Sequence, residues 1–548
     1  MSQFSFAKVP SVEIPRSSFN RSFNHKTCIN TDYLYPVYCQ EVIPGDTFNT
    51  NLTAFGRLNT LIRPIMDNLY LDFFFFYVPN RLVWSHWVNM LGQRDNPSDS
   101  IDYSCPMVES GADGFDFGSI YDYLGLPVKV PNLEVSALPL RAINLIYNDH
   151  FRDENLCDQL PVNRGDEYDN KSIYNLFKRG KRHDYFTSCL TSPQKGIASS
   201  INIGGAAPVY GVEDSGDSPF SMALTDGSVV RVLKSGSSTS SNTAGFGSYA
   251  DVGHASNSSP FPSANVALGL VTKSQVHAGL VSSNDSGLYA DLSDASAVTV
   301  NQLREAIAIQ RLLERDSRGG TRINELIFSH FGVEVPDYRV QRSEYLGGGS
   351  VPVSVHSIAQ TSSTNDTSPQ GNLTANGTVA GSVGFSKSFV EHGFVIGFVN
   401  LRADLNYQQG LHRMWSRKTR YDWYWPALSH LGEQVVYNRE IYAQGNYKDD
   451  LAFGYQERWA EYRYSVNQVT SVLRSQHPQS LDSWHLAQDF TSLPTLSKEF
   501  IEESVPIDRA LAVASSSDSP ALLLDMWFKQ SCVRPMPTYS VPGLMDHF

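Results

Sequence analysis

The sequence has few charged residues, which occupy 18% of its 548 positions, against roughly a quarter in an average soluble protein. Lysine and arginine number 43 against 56 aspartates and glutamates, so the formal net charge is -13. This balance excludes a uniformly basic nucleic-acid-binding protein of the histone type, although it leaves room for local basic patches. Aromatic residues, in contrast, reach 12%. Few charges and many aromatic side chains indicate a surface that is covered by other protein chains, most simply by further copies of itself.

Cysteines are also few, and the apolar runs are short. The six cysteines form no Cys-x-x-Cys pair and have no histidine at metal-ligand spacing, which predicts reduced thiols and neither a disulfide framework nor a zinc site. The longest apolar run, residues 73–78, is far shorter than the roughly 18 residues of a membrane-spanning helix. The first residues lack the apolar core of a secretory signal peptide. We therefore expect a protein that is made in a cytoplasm and is not exported by way of a signal peptide, without membrane insertion.

Local motifs of catalysis are missing as well. The glycine-rich stretch at 346–350 has no Lys-Ser/Thr of a phosphate-binding loop and opens no helix, so it indicates a hinge. The sequence contains no Gly-x-Ser-x-Gly elbow and no His-Glu-x-x-His. We therefore predict a protein that is not an enzyme, with no catalytic residue, no metal and no cofactor.

The apolar patterns that are present indicate strands. Residues 47–54 alternate between polar and apolar positions, as in a strand with one face exposed to solvent. Residues 68–77 are too apolar for either face to be exposed, so this second strand should be covered on both sides. Strand patterns return at 389–399, 421–426 and 434–437. Because strands occur in both halves of the chain, the two halves must pair in one sheet system, which predicts an all-β fold.

Three segments carry helix patterns. After Pro79, an apolar face of Trp84, Trp87, Val88 and Leu91 predicts a short helix that Gly92 ends. A capping-box pattern at Thr299 starts a second helix, which ends at residues 317–320. Thr321 starts a third, with Gly332 as its stop and with an apolar stripe that we expect to be buried. That stripe consists of Ile323, Leu326, Ile327 and Phe331.

Composition divides the chain into a body, an insertion and two arms. Residues 1–30 hold four cations and one acid, with prolines that prevent a regular helix, and predict an extended N-terminal arm. Residues 196–299 are rich in Ser, Gly and Asn, with eight acids against three bases. They are either disordered or, as the strand-like runs at 229–233 and 266–271 favour, a small β-rich surface protrusion with mobile tips. The body then comprises residues 31–195 and 300–528, and residues 529–548 form an extended C-terminal arm.

A basic and aromatic run covers residues 411–425. Its arginines could neutralise phosphates while its aromatic rings accept stacked bases, as in a contact with single-stranded nucleic acid. The alternative, which the Trp-x-Trp alternation of a strand face favours, is a loop whose arginines pair with acids of a neighbouring subunit while its tryptophans fill the core. The sequence leaves both interpretations open.

Four longer blocks resemble a known family. They are SFNRSF at 18–23, YLDFFFFYVPNR at 70–81, TSPQGNL at 367–373 and PTYSVPGL at 537–544. Together they resemble the major capsid proteins of the Microviridae, specifically the gokushovirus branch. The resemblance covers nearly the whole chain and is interrupted only in the insertion at 196–299.

This resemblance implies an eight-stranded antiparallel jelly roll with long loop insertions and a few short helices. It also implies pentamers and a T=1 icosahedral shell of about sixty copies around a circular single-stranded DNA phage genome. The insertion would form a protrusion at the threefold axes that meets a receptor on the host bacterium. The implied partners are an internal scaffolding protein, a minor or pilot protein and a small basic DNA-binding protein, with assembly in the bacterial cytoplasm.

Charge distribution suggests which residues would face the genome. A shell of sixty copies carries about -780 charges, so its bulk charge cannot neutralise DNA. We therefore expect acids to face outward and the cations of the arm and of the 413–420 cluster to face inward, helped by a small basic partner or polyamines. The candidate DNA contacts are Lys8, Arg16, Arg21, Lys26, Arg413, Trp415, Arg417, Lys418 and Arg420.

A second function class fits some of the same features. A carbohydrate-binding or carbohydrate-cleaving β-sandwich protein would also show exposed tryptophans and a loop rich in Ser, Gly and Asn. The expected absence of a signal peptide weighs against it. A capsid subunit should form closed particles or stable pentamers, whereas the carbohydrate-binding protein should be a monomer.

Overall fold

The computed structural model describes residues 15–196, 209–211, 221–223, 229–231, 288–290, 300–320, 322–339, 341–362, 364, 369–516 and 519–539. The strands are β1 (Ser17–Asn20), β2 (Phe23–Ile29), β3 (Tyr35–Val42), β4 (Thr47–Leu58), β5 (Leu69–Pro79), β6 (Met107–Glu109), β7 (Glu134–Ser136), β8 (Val209–Gly211), β9 (Ser221–Ala223), β10 (Val229–Arg231), β11 (Leu288–Ala290), β12 (Glu344–Ala359), β13 (Leu373–Ser388), β14 (Gly393–Ala403), β15 (Glu433–Tyr437), β16 (Ala452–Glu457) and β17 (Leu522–Arg534). The α-helices are α1 (Asn80–Val83), α2 (Trp87–Met90), α3 (Ile120–Tyr123), α4 (Leu138–Ile146), α5 (Val300–Arg318), α6 (Ile323–Phe331), α7 (Asn438–Ile441) and α8 (Lys498–Ile501).

A nine-stranded antiparallel sheet organises the body. Its strands lie in the order β1-β17-β4-β13-β12-β5-β14-β3, and β2 also pairs with β17. The long strand β12 belongs to both halves, because residues 353–359 pair with β13 while residues 344–352 pair with β5. The predominance of paired strands confirms the all-β prediction, and strands from both halves of the sequence share one sheet system as expected.

One core fills the space between the two halves of this sheet. Phe48 and Leu52 of β4 and Phe528 of β17 belong to the same buried cluster as Phe75 of β5 and Val399 of β14. The exposed and buried positions of β4 alternate along its whole length, as its sequence pattern predicts. The body is therefore a folded-over sheet with its apolar faces turned inward.

Strand β5 is covered on both faces, which confirms the second strand prediction. Phe73 and Phe75 point into the core between the sheet halves, whereas Phe76 and Val78 belong to a second core on the other side. That second core includes most of α4. Six of the eleven residues of β5 are aromatic because neither face of the strand meets solvent.

Buried ion pairs hold the loops around this body. Asp72 of β5 accepts hydrogen bonds from Arg179 at 2.6 Å, from Arg402 at 2.7 Å and from Ser350 at 2.5 Å. Burial alone would raise the pKa of Asp72, but the hydrogen bonds from Ser350 and Arg179 and the charges of the arginines hold it below its ordinary value. The Asp72 carboxylate therefore joins three separate segments of the chain.

The helix predictions are confirmed in part. Helices α5 and α6 form where the capping and stop signals place them, and Gly332 ends α6 in the left-handed conformation at φ 68°. However, Ile323 and Phe331 of α6 are exposed, so the prediction that they are buried is wrong. The single helix expected after Pro79 is divided into α1 and α2, with Trp84 buried between them.

Part of each expected arm lies in the sheet. Strands β1 and β2 fall within residues 1–30, and both pair with β17, which itself runs to Arg534. The chain divides into two compact units, residues 1–197 with 312–548 and residues 198–311. The domain bounds expected from the sequence, with the insertion at 196–299, stay a prediction. Of the two strand-like runs in the insertion, 229–231 is strand β10, and 266–271 lies outside the described residues.

Candidate nucleic-acid interface

The basic and aromatic run is a loop of short 3-10 helices. These turns span Arg413–Ser416, Arg420–Asp422 and Pro426–Leu428, so the strand expected at 421–426 is not formed. The Asp422 carboxylate accepts hydrogen bonds from the backbone N–H groups of Thr419 at 2.7 Å and Lys418 at 3.0 Å, which lower the pKa of Asp422. This capping arrangement, together with Pro426, favours turns over an extended strand.

The aromatic rings of the loop lie on the surface of the subunit. Trp415 is 72% exposed, and Tyr421, Trp423, Tyr424 and Trp425 are exposed as well. The expectation that the tryptophans fill the core of the subunit is therefore wrong. The exposed rings form a flat aromatic surface that bases could stack on or another chain could cover.

Two of the predicted phosphate-binding arginines are already paired within the chain. Arg413 donates to the Val435 carbonyl at 2.6 Å and to the Glu440 carboxylate at 3.2 Å, and it lies 3.8 Å from Glu461. The Glu461 carboxylate also accepts a hydrogen bond from Arg417 at 3.3 Å. Glu440 and Glu461 are almost fully buried. The acids that pair with these arginines thus come from the same chain, whereas the sequence interpretation placed them in a neighbouring subunit.

The guanidinium group of Arg417 is further enclosed by rings. It lies over Tyr462 at 4.1 Å and over Trp423 at 5.2 Å from the ring centroids, and it donates a hydrogen bond to the Tyr462 hydroxyl. Such cation-π contacts hold an arginine in place when its charge is also paired. Arg413 and Arg417 therefore shape the loop and have little capacity left for phosphate.

Lys418 and Arg420 are the cations of this run that remain accessible. Both side chains are exposed, and the Arg420 guanidinium lies 5.4 Å and 5.5 Å from the ring centroids of Tyr421 and Trp425. The indole N–H of Trp425 donates to the Arg420 carbonyl at 2.8 Å, which fixes the ring beside the charge. This arrangement offers one guanidinium and one ammonium group next to stacking surfaces.

The cations of the N-terminal segment occupy separate positions. Arg16 donates to the Gly45 carbonyl at 2.5 Å and to Thr47 at 2.9 Å, Arg21 donates to Gln40 at 2.6 Å, and Lys26 pairs with Asp525. Among the described residues, no hydrogen bond or ion pair joins these three side chains to the 411–425 loop. Lys8, the fourth cation, lies outside the described residues.

The described part of the chain also bears on metal clusters, disulfides and membrane-spanning helices. Within it, no cluster of three or more His, Cys, Asp or Glu side chains could hold a metal ion. All six cysteines are free thiols. No helix found there is long and apolar enough to cross a membrane.

Comparison with known proteins gives full-length relatives. The family model described as "Capsid protein (F protein)" matches residues 7–544. Capsid protein VP1 of Bdellovibrio phage phiMH2K is 46% identical, over 100% of this chain and 98% of the relative. Capsid protein VP1 of Chlamydia phage 1 is 45% identical, over 98% and 97%. Capsid protein VP1 of Spiroplasma virus 4 is 37% identical, over 97% of this chain and 96% of the relative.

Proposed function

The chain belongs to the capsid protein (F protein) family, and we propose that about sixty copies of it close a T=1 icosahedral shell around a circular single-stranded DNA genome. It is the capsid protein of a phage virion and a structural protein, not an enzyme. The full-length identity to capsid proteins is the observation that carries this proposal. It also decides between the two function classes, in favour of the capsid subunit and against the carbohydrate-binding protein.

We further propose that the body is an eight-stranded jelly roll. When β1 and β2 are counted as one strand and the small two-stranded sheets are left aside, the main strands are eight. Numbered along the chain, they lie in the order 1-8-3-6 in one half of the sheet and 5-4-7-2 in the other. A chain wound as two Greek keys gives this alternation of early and late strands. The shared core between the two halves supports the same architecture.

Uncovered apolar side chains support assembly with other copies. Ile323, Phe328 and Phe331 of α6 are all more than half exposed. A lone exposed apolar residue is ordinary, but three large ones on a helix of nine residues leave apolar surface that another chain could cover. We propose that other copies of the chain cover such surfaces in pentamers and in the closed shell.

Electron microscopy tests the proposed function directly. The full chain, produced in a bacterial cytoplasm together with its proposed partners and a circular single-stranded DNA genome, should yield closed particles with nuclease-resistant single-stranded DNA. The scaffolding protein, a minor or pilot protein and a small basic DNA-binding protein are the partners that we propose for assembly. A protein that stays monomeric under these conditions, with or without bound carbohydrate, would contradict the proposal.

We propose that Lys418 and Arg420 contact the genome, with Trp415 as a nearby stacking surface. The variant Lys418→Gln/Arg420→Gln should form shells in normal yield but package less DNA, because two exposed phosphate-neutralising charges per copy are lost. The ratio of absorbance at 260 nm to that at 280 nm of purified particles measures this change. An unchanged ratio would assign the loop to a contact between copies instead. The four cations of the N-terminal segment also remain predicted contacts with the genome: Lys8, Arg16, Arg21 and Lys26.

We propose that residues 196–299 form the protrusion that attaches to the host. Their excess of acids fits an outer position, away from the genome. Because the contacts divide residues 198–311 from the rest of the chain, a deletion of 205–295 should leave the body folded. Shells of this variant should bind fewer host cells in a sedimentation assay, and attachment equal to that of unaltered shells would exclude the role.

A further inference from the structure

The outer face of one half of the sheet is open over four strands. We call this surface the open face, formed by the outward side chains of β2, β17, β4 and β13. Its polar positions are mostly Asn, Ser and Thr. Three large apolar side chains nevertheless stand on it, with exposed fractions of 49% for Phe55, 58% for Leu523 and 48% for Trp527. Two aromatic rings and a leucine on an otherwise polar sheet face favour a partner that accepts both kinds of side chain.

The strand register places the two rings next to each other. Phe55 of β4 lies opposite Asp525 of β17, and Trp527 lies opposite Thr53. The two aromatic residues are therefore diagonal neighbours on adjacent strands, about 7–8 Å apart, within reach of one another. Both rings therefore stand on the same side of the sheet, where each is open to stacking.

Cations flank the rings at both ends. Arg57 lies opposite Leu523, at one end of the aromatic pair, and Lys529 lies opposite Asn51 at the other end. From Leu523 to Lys529 the strand spans about 20 Å, since each residue advances it by about 3.4 Å. The open face thus presents a cation, two rings and a second cation, one after another along the strands β4 and β17.

The charge of the open face contrasts with that of the chain. Asp525 is the one carboxylate among its described outward residues, and it is paired with Lys26. Arg57 and Lys529 are exposed, and neither forms an ion pair in the part of the chain that the structure describes. A positively charged face on a chain with net charge -13 favours an anionic partner.

We infer that the open face binds single-stranded nucleic acid, with bases stacked on Phe55 and Trp527 and phosphates paired with Arg57 and Lys529. Rings beside cations are the combination that binds a single strand without regard to its sequence. The neighbouring Asn and Thr side chains offer hydrogen bonds to base edges. A surface that contacts other protein chains would instead contain few lysines and have a more apolar centre. This inference rests on the proposed function, because it turns the open face toward the enclosed genome.

Ultraviolet crosslinking of DNA-filled particles locates the contact. After nuclease and protease digestion, mass spectrometry should find nucleotide adducts on the peptides that contain Phe55 or Trp527. DNA-filled particles with adducts only elsewhere, for example within 411–425, would overturn the inference while leaving the proposed function intact. Particles that enclose no DNA would contradict the proposed function itself, and the inference with it.

A matched pair of variants tests the cations. For the purified full chain and an oligonucleotide of twenty thymidines, Arg57→Gln/Lys529→Gln should reduce the slope of log affinity against log salt concentration by about 1.4, or 0.7 for each phosphate contact. The control Lys129→Gln/Lys498→Gln removes the same charge at sites where the lysines pair with Asp116 and Glu502. Its slope should match that of the unaltered chain. An equal reduction of the slope in both variants, or an unchanged slope in Arg57→Gln/Lys529→Gln, would refute the inference. If Arg57→Gln/Lys529→Gln formed fewer shells, each with the full amount of DNA, that result would refute it as well.

Discussion

Replacing Asp72 by alanine should lower the free energy of unfolding by about 3–5 kcal/mol, because it removes the buried carboxylate that Arg179 and Arg402 share. The Asp72 side chain is 4% exposed, and its carboxylate pairs with both Arg179 and Arg402. Arg402 is itself almost fully buried, so water cannot replace the lost partner. Urea denaturation of the unassembled chain, followed by tryptophan fluorescence, should show the midpoint falling accordingly.

A matched control tests whether the effect comes from the loss of a buried carboxylate or from the loss of any carboxylate that pairs with Arg402. Asp404 also pairs with Arg402, at 3.3 Å, but its side chain is 42% exposed. Asp404→Ala should therefore cost less than about 1 kcal/mol, as exposed ion pairs do. Equal destabilisation by the two variants would show that Asp72 does not act as the shared counter-ion.

The strand predictions were right where a strand buries one or both of its faces. The alternation in β4 and the continuous apolar run of β5 follow from how many faces each strand buries, and that information is local. Helices α5 and α6 were predicted equally well, because their capping and stop residues are also local. The burial of α6 was predicted wrongly, since periodicity shows that a face is apolar but not whether the same chain covers it.

The loop at 411–425 shows what local patterns miss. Its Trp-x-Trp alternation imitates a strand, but side-chain capping at Thr419 and a proline at 426 produce turns. The acids that pair with its arginines lie 27 and 44 positions further along the chain, and no spacing in the sequence points to them. Which cations are free to bind DNA is therefore decided by tertiary contacts.

The open face was missed for a related reason. Arg57 and Lys529 belong to the third and the last of the eight main strands, and only the register between β4 and β17 places them on one surface. A single cation beside an aromatic residue in a strand is unremarkable by itself. The residues of this surface can be read from the sequence, but only the pairing of strands that are distant in sequence brings them together on one face.

Replacing Arg413 by glutamine should lower the free energy of unfolding by about 3 kcal/mol, because the buried Glu440 loses its cation. Arg420→Gln, a few residues away in the same loop but exposed, should change stability by less than about 0.5 kcal/mol. Thermal and urea denaturation of the two variants measure this difference. If both variants unfold like the unaltered chain, the Arg413 ion pairs contribute nothing to stability, and Arg413 returns to the set of free phosphate-binding cations.

The loss of stability caused by Arg413→Gln should also depend on pH, and the burial of Glu440 determines the direction of that dependence. Burial raises the pKa of Glu440 above its ordinary value, and the Arg413 charge opposes that rise. Without Arg413, the folded-state pKa of Glu440 rises further above its unfolded value. A carboxyl group shifted in this direction costs stability as pH rises through its folded-state pKa, and the cost vanishes when the group is protonated. The difference in unfolding free energy between Arg413→Gln and the unaltered chain should therefore be larger at pH 8 than at pH 5. A difference that grows toward low pH would mean that Arg413 acts through contacts other than the Glu440 charge.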